Sequence, residues 1–205
     1  MNQLWRQRIV LILIISLFAS IPLIYALGGY QTISKMTEGM HTQDIPTIQQ
    51  VDQLIEHNRD RANAVRGLLL YEDDRYIEQY YFSTSKAHDL RRLLNASNQT
   101  PGAVKDLLMR NDAWEADIEK VFTVYEQDNP QAAKRLAKQT TQTTQTILED
   151  LSQIKDKLYG ELEQKLELTT EMTTEYKRMC FSLSILAFLL VATTIIVFHR
   201  SKTAS

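Results

Sequence analysis

An amide, a guanidinium, an indole and a hydroxyl held at one level of a helical protein can grip a small anion or an amino acid, and this sequence spaces such groups so as to allow it. Asn58, Asn111 and Thr143 each stand about 13 to 16 residues from a chain reversal, so on helices they fall at one height, roughly 20 Å below the tip at 1.5 Å per residue. Arg59 and Arg61 stand beside Asn58, Trp114 lies one turn from Asn111, and Thr140 lies one turn from Thr143, with Thr84 or His88 nearby. The candidate ligand site is therefore Asn58, Arg59, Arg61, Asn111, Trp114, Thr140 and Thr143. The guanidinium would make charge-assisted hydrogen bonds to a carboxylate, and the amides would supply further donors and acceptors. The commoner use of such a layer is structural: amides buried in a bundle fix helix register and exclude wrong pairings.

Catalytic chemistry is poorly provided for. His41, His57, His88 and His199 are dispersed and form no paired metal motif, and no glycine-rich phosphate loop occurs. Glu72, Asp73 and Asp74 resemble an acid pair, but three acids at a helix start are explained by the helix dipole. Cys180 is the sole cysteine, which excludes an internal disulfide and a multi-cysteine metal site. No enzyme, cofactor or metal is expected. The net charge of −2, with acids and bases interspersed, offers no basic face for nucleic acid. Gln139 to Thr146, "QTTQTTQT", reads as a solvated helix face carrying one seam stripe, the alternative being a softer signalling segment. Asn95 and Asn98 begin glycosylation patterns that are chance matches in a chain of bacterial layout.

The elements that must position these groups follow from hydrophobic period. Ile48, Val51, Ile55, Asn58, Ala62, Val65 and Leu69 recur at helical spacing, and Pro46 marks a bend before them. Ile77, Tyr80, Ala87 and Leu94 form a second stripe, running to about Asn95. Thr100 and Pro101 cap a third helix, striped by Val104, Leu107, Asn111, Trp114, Ile118, Val121 and Tyr125 and ending near Gln127. Asp128, Asn129 and Pro130 repeat the cap-then-proline pattern. The fourth helix has the seam Leu136, Thr140, Thr143, Ile147, Leu151, Ile154 and Leu158, and no stop signal follows it. Short turns make neighbours antiparallel, so the expected fold is all-α, an up-down-up-down four-helix bundle.

Two apolar segments flank that bundle. Ile9 to Gly28 and Met179 to Phe198 are uncharged, each about 20 residues and long enough to cross roughly 30 Å of hydrocarbon. The first exceeds the ~7–15-residue core of a secretory signal and lacks a prompt cleavage site. Pro22 is a kink that membrane helices tolerate, and Ser16 and Ser20 would allow a close helix neighbour. Arg6 and Arg8 before the first span, and His199, Arg200 and Lys202 after the second, place both termini in the cytoplasm. The expected division is 1–8 cytoplasmic, 9–28 first span, 29–178 outer domain, 179–198 second span and 199–205 cytoplasmic tail. The first and fourth helices continue into the spans, leaving a two-helix stalk with the seam Leu162, Leu166, Met172 and Tyr176, which a second copy would bury.

With Arg6 and Arg8 before the first span, "HTQDIPTIQQVDQL" from His41 to Leu54, "RGLLLYEDDRYIEQY" from Arg66 to Tyr80 and "DNPQAAKRLAK" from Asp128 to Lys138, the chain resembles the outer sensor domain of methyl-accepting chemotaxis receptors of the four-helix-bundle kind, and related histidine-kinase sensor domains. The resemblance implies an extracytoplasmic domain that senses a small molecule or partner protein and passes a helix movement across the membrane to a kinase-control module. No ligand residue transfers. Only His199 to Ser205 follow the second span, so the expectation is a receptor-like sensor or accessory subunit that forms a homodimer or pairs with a full-length chemoreceptor or sensor kinase. Its rival is a structural coiled-coil envelope protein that scaffolds other membrane proteins and needs no ligand.

Overall fold

The computed structural model describes residues 3–96 and 102–203, and each described element is a helix. Helix α1 spans Gln3–Gly39, a π-helical turn covers Met40–Asp44, and α2 spans Ile45–Tyr71. Helices α3, Arg75–Ala96, α4, Gly102–Glu126, and α5, Pro130–Thr203, follow. Residues 40–163 form one compact unit; residues 1–39 and 164–205 form a second.

In the first unit the stripes read from the sequence become the core. Val51, Leu54 and Leu68 of α2, Tyr80 and Leu94 of α3, Val104 and Val121 of α4, and Ile147 and Leu151 of α5 are buried together. Four helices thus pack against one another as a bundle, each stabilised by its own apolar stripe. Contacts give the direction of each pair. Gly67 meets Tyr76 and Arg61 meets Tyr80; Tyr80 meets Phe122 and Arg91 meets Asp112; Trp114 meets Thr144 and Arg110 meets Asp150. In every pair one number rises as the other falls, so successive helices are antiparallel.

Local chemistry sets the turns. The widening to i→i+5 bonding over Met40–Asp44 falls just before Pro46, whose ring cannot donate to the carbonyl four residues back. α2 stops where Glu72 turns left-handed, φ 52°, and its N–H donates to the Leu68 carbonyl at 2.8 Å. Asp73 then accepts the Arg75 backbone N–H at 3.0 Å and grips its guanidinium. Those hydrogen bonds hold the Asp73 carboxyl below its ordinary range. Asp128, φ 57°, makes the second left-handed reversal, and Asn129 caps α5 by accepting the Ala132 N–H at 3.2 Å. The expected Thr100–Pro101 cap lies outside the described residues. Gly67 gives α3 its close approach: a Cβ there would stand 2.3 Å from the Tyr76 ring.

The fourth helix runs without interruption, as its lack of stop signals implied, but its seam differs from expectation at one position. Thr143 is exposed and Thr144 is buried. Between Thr140 and Ile147 a three-then-four step and a four-then-three step both keep the heptad, and only the second is realised.

In the second unit Tyr25 and Tyr176 pack with ring centroids 5.3 Å apart, and the Tyr25 hydroxyl donates to the Met179 sulfur at 2.8 Å. Gly29 makes room for the Tyr176 ring, which would lie 2.5 Å from a Cβ. Helix α1 continues through Pro22. Toward its end α5 carries an apolar segment of mean hydropathy 2.4 with none of it buried, where Phe181, Phe188 and Ile195 are exposed. It is the one segment among the described residues long and apolar enough to cross a bilayer, rather than the two expected. In the other, Ile9 to Gly28, most side chains before Ser20 lie outside the described residues, as do those of Arg6, Arg8 and His199 onward.

Candidate functional site

At about 100° per residue the α2 stripe that carries Asn58 also carries Arg61, Ala62 and Val65, while Arg59 is turned away. The structure follows this geometry. Asn58 and Arg61 are buried and Arg59 is exposed, so Arg59 stands outside the layer in which it was expected.

Arg61 is the centre of the site, with its side chain 0 % exposed. One guanidinium nitrogen, Nη1, donates to Asn58 Oδ1 at 3.2 Å, and Nη2 lies 2.8 Å from Glu115 Oε2. The guanidinium carbon sits 4.7 Å from the Trp114 ring centroid and 5.5 Å from that of Tyr80, so two aromatic faces cover the cation. Glu115, on α4, is shared. Its Oε1 is 2.6 Å from His88 Nε2, and Arg91 of α3 approaches its Oε2 at 3.4 Å while also pairing with Asp112. A single carboxylate therefore ties α2 and α3 to α4. Burial pushes the Arg91 guanidinium down from its usual value, with the Glu115 charge opposing. Burial also pushes the Tyr80 phenol up, with the Arg61 charge opposing.

A second group of contacts fixes α5. Trp114 Nε1–H donates to the Thr144 hydroxyl at 2.7 Å, and that hydroxyl donates to the Thr140 carbonyl at 2.9 Å. Asn58, Trp114 and Thr144, with Ile147 and Leu148, enclose a void too tight for a water-sized molecule. Asn111 is buried one turn before Trp114, and neither its Oδ1 nor its Nδ2 has a hydrogen-bond partner among the described residues.

Of the residues singled out from the sequence, Asn58, Arg61 and Trp114 come together, Asn111 lies on the same buried face, and Thr140 is joined through Thr144. Thr143 and Arg59 face outward. Sequence reasoning missed Glu115 and Arg91. Glu115 had a signal, since it stands four residues after Asn111 and three before Ile118 on the buried stripe. A glutamate there reads as surface unless Arg61 is placed opposite it. Thr84 is also buried, and His88 is half-exposed at the rim.

Beside this closed layer an open groove of about 290 Å³ lies between α2, α4 and α5. Its floor is Ala62, Val65, Leu69 and Ile118, and its α5 wall includes Ala137, Thr140, Thr141 and Thr144.

Fold and site together define an all-helical bundle with a buried ion-pair layer. Comparison of the chain with known protein families, curated proteins and solved structures returned no match, and no family is identified for it.

Proposed function

We propose that the chain is a membrane-anchored, receptor-like sensor or accessory subunit of transmembrane signalling, with the bundle outside the cytoplasm and both termini inside. The observation that carries this reading is α5. The helix that supplies one wall of the groove in the bundle continues unbroken into the exposed apolar segment. A helix of that kind suits the transfer of a ligand-dependent displacement, because backbone hydrogen bonds couple each turn to the next. The first apolar stretch serves as a second span, the basic residues at both outer ends set the topology, and the resemblance to chemoreceptor sensor domains points the same way. Partners on this reading are the lipid bilayer and either a second copy or a full-length chemoreceptor or sensor kinase.

The full chain in lipid nanodiscs tests the reading by thermal melting across a library of amino acids, carboxylates, sugars and amines. A sensor gains stability with at least one class by mass action, by about 2.7 kcal/mol at a hundredfold excess over Kd. A flat library would refute it. Reporter enzymes placed after Lys202 and near Thr100 should report opposite sides of the membrane.

The scaffold alternative draws on a different observation: the polar layer is closed, and Leu166 and Leu168 are about half exposed on α5. On that reading the protein recovers partners on cross-linking and shows no ligand-dependent melting.

A further inference from the structure

The groove between α2, α4 and α5 has a chemistry that narrows what it can hold. Its floor is apolar and buried, whereas its rim carries Arg66, Lys134 and Lys138 and its lining includes no acid among the described residues. Among the described residues Arg66 donates to the neutral Asn63 amide, at 3.2 Å, and makes no ion pair. Neither lysine makes an ion pair among the described residues. Three positive charges thus border one opening with no acid paired to them among the described residues.

The threonines of the α5 wall sharpen this. The hydroxyls of Thr140 and Thr141 both donate to the Ala137 carbonyl at 2.9 Å, and that of Thr144 donates to the Thr140 carbonyl while accepting from Trp114. With those donors engaged along the helix, the wall offers methyl groups and little to a polar body. A sugar or a zwitterion would leave its own polar groups unmatched against the floor, which is unfavourable. An anion without an apolar body would gain only the solvated rim charges. At about 290 Å³ the space is at the small end of ligand cavities, which run from roughly 300 Å³ upward.

We propose that this groove binds a small amphiphilic carboxylate, an aryl or short alkyl acid whose body lies on Val65, Leu69 and Ile118 and whose carboxylate meets Lys134, Lys138 and Arg66. The inference rests on the sensor reading for its biological sense, but its chemistry is independent of signalling. It also differs from the ligand layer expected from the sequence, of which only Thr140 lines this groove.

The full chain in nanodiscs is titrated by calorimetry with 3-phenylpropionate, with 3-phenylpropanol as the uncharged match and with acetate as the bodiless anion. Binding is expected for the phenylpropionate alone. Lys134→Met with Lys138→Met should weaken it at least tenfold, while partition into the lipid would be the same for both proteins. Ala137→Phe, which fills the groove and leaves the charges, should abolish binding, and an unchanged melting temperature shows that this variant folds. Equal binding of the alcohol, equal binding of acetate, or insensitivity to the lysine pair would overturn the proposal. A stability gain with some other chemical class but not with aryl or alkyl acids would overturn it too and leave the sensor reading standing; a flat library would remove both.

Discussion

Glu115→Gln is the sharpest perturbation of the bundle. The substitution keeps the size and planarity of the side chain and deletes one charge, leaving Arg61 fully buried with its anion gone. Asn58 Oδ1 and the Trp114 and Tyr80 faces remain, but all of them are neutral. Breaking a buried pair by removing one partner costs about 3–5 kcal/mol, because the surviving charge must stay dehydrated without compensation. The Glu115 side chain is 10 % exposed and also serves His88 and Arg91, so partial hydration and loss of the Arg91 contact act in opposite directions. The expected loss therefore stays in that range, and at about 2–4 °C per kcal/mol it lowers the melting temperature by roughly 6–20 °C. The assay is thermal and urea melting of the full chain in nanodiscs, followed by circular dichroism at a helix wavelength. Arg61→Met alone should cost less, since Glu115 keeps Arg91 and His88, and Arg61→Met with Glu115→Met should recover most of the Glu115→Gln loss, since a well-packed apolar pair replaces a buried ion pair with little net loss. A loss below about 1 kcal/mol for Glu115→Gln, or strict additivity in the double variant, would refute the argument that this carboxylate holds the cation in place.

Other expectations follow from the same core. Asn111→Leu should raise stability by about 1–3 kcal/mol in the same melts, since both polar atoms of Asn111 are buried without partners, while Asn58→Leu should lower it by taking the acceptor from Arg61. Burial raises the Tyr80 phenol pKa in the folded chain, so its contribution is fully present below the unfolded value of about 10 and is lost as pH climbs through the folded one; Tyr80→Phe should flatten the stability decline above pH ~10, measured by urea midpoints at stepped pH. Gly67→Ala gains about 1 kcal/mol of helix propensity but drives a methyl into the Tyr76 ring, and a net loss of about 1–2 kcal/mol is expected, relieved when Tyr76→Ala is added.

How far the sequence carried the fold depends on what each residue type can encode. The stripes of α2, α3 and α4 were legible because apolar side chains at helical spacing are opposed by charged ones, so the buried face is marked on both sides. The turns were legible for a separate reason. Glu72–Asp74 and Asp128–Pro130 carry groups whose hydrogen bonding favours reversal and capping, and Asp73 and Asn129 do make those bonds. The α5 seam was not legible through Gln139–Thr146, because Thr143 and Thr144 are chemically identical and the heptad admits either. What decides between them is Trp114, whose indole N–H reaches Thr144 from another helix. That contact belongs to tertiary structure.

The site was half legible for the same kind of reason. Asn58 and Trp114 announced themselves as unusual residues on an apolar stripe. Arg61 was singled out as a neighbour of Asn58, but its partner Glu115 was not, because a glutamate alone reads as a solvated charge and becomes plausible in a core only when an arginine is opposite. Pairing across helices is fixed by register, and register is what such an ion pair helps to set. A buried Arg61–Glu115 contact in a shifted bundle would leave both charges facing apolar groups, at a cost that the apolar stripes alone would not impose. The layer therefore selects one alignment of α2 and α4 among those the stripes allow, and through Trp114 and Thr144 it passes that selection to α5. The groove inherits its shape from this alignment: Ile118 in its floor lies one turn beyond Glu115, and Thr144 in its wall is held by Trp114. A closed layer can thus still determine what the open groove beside it accepts.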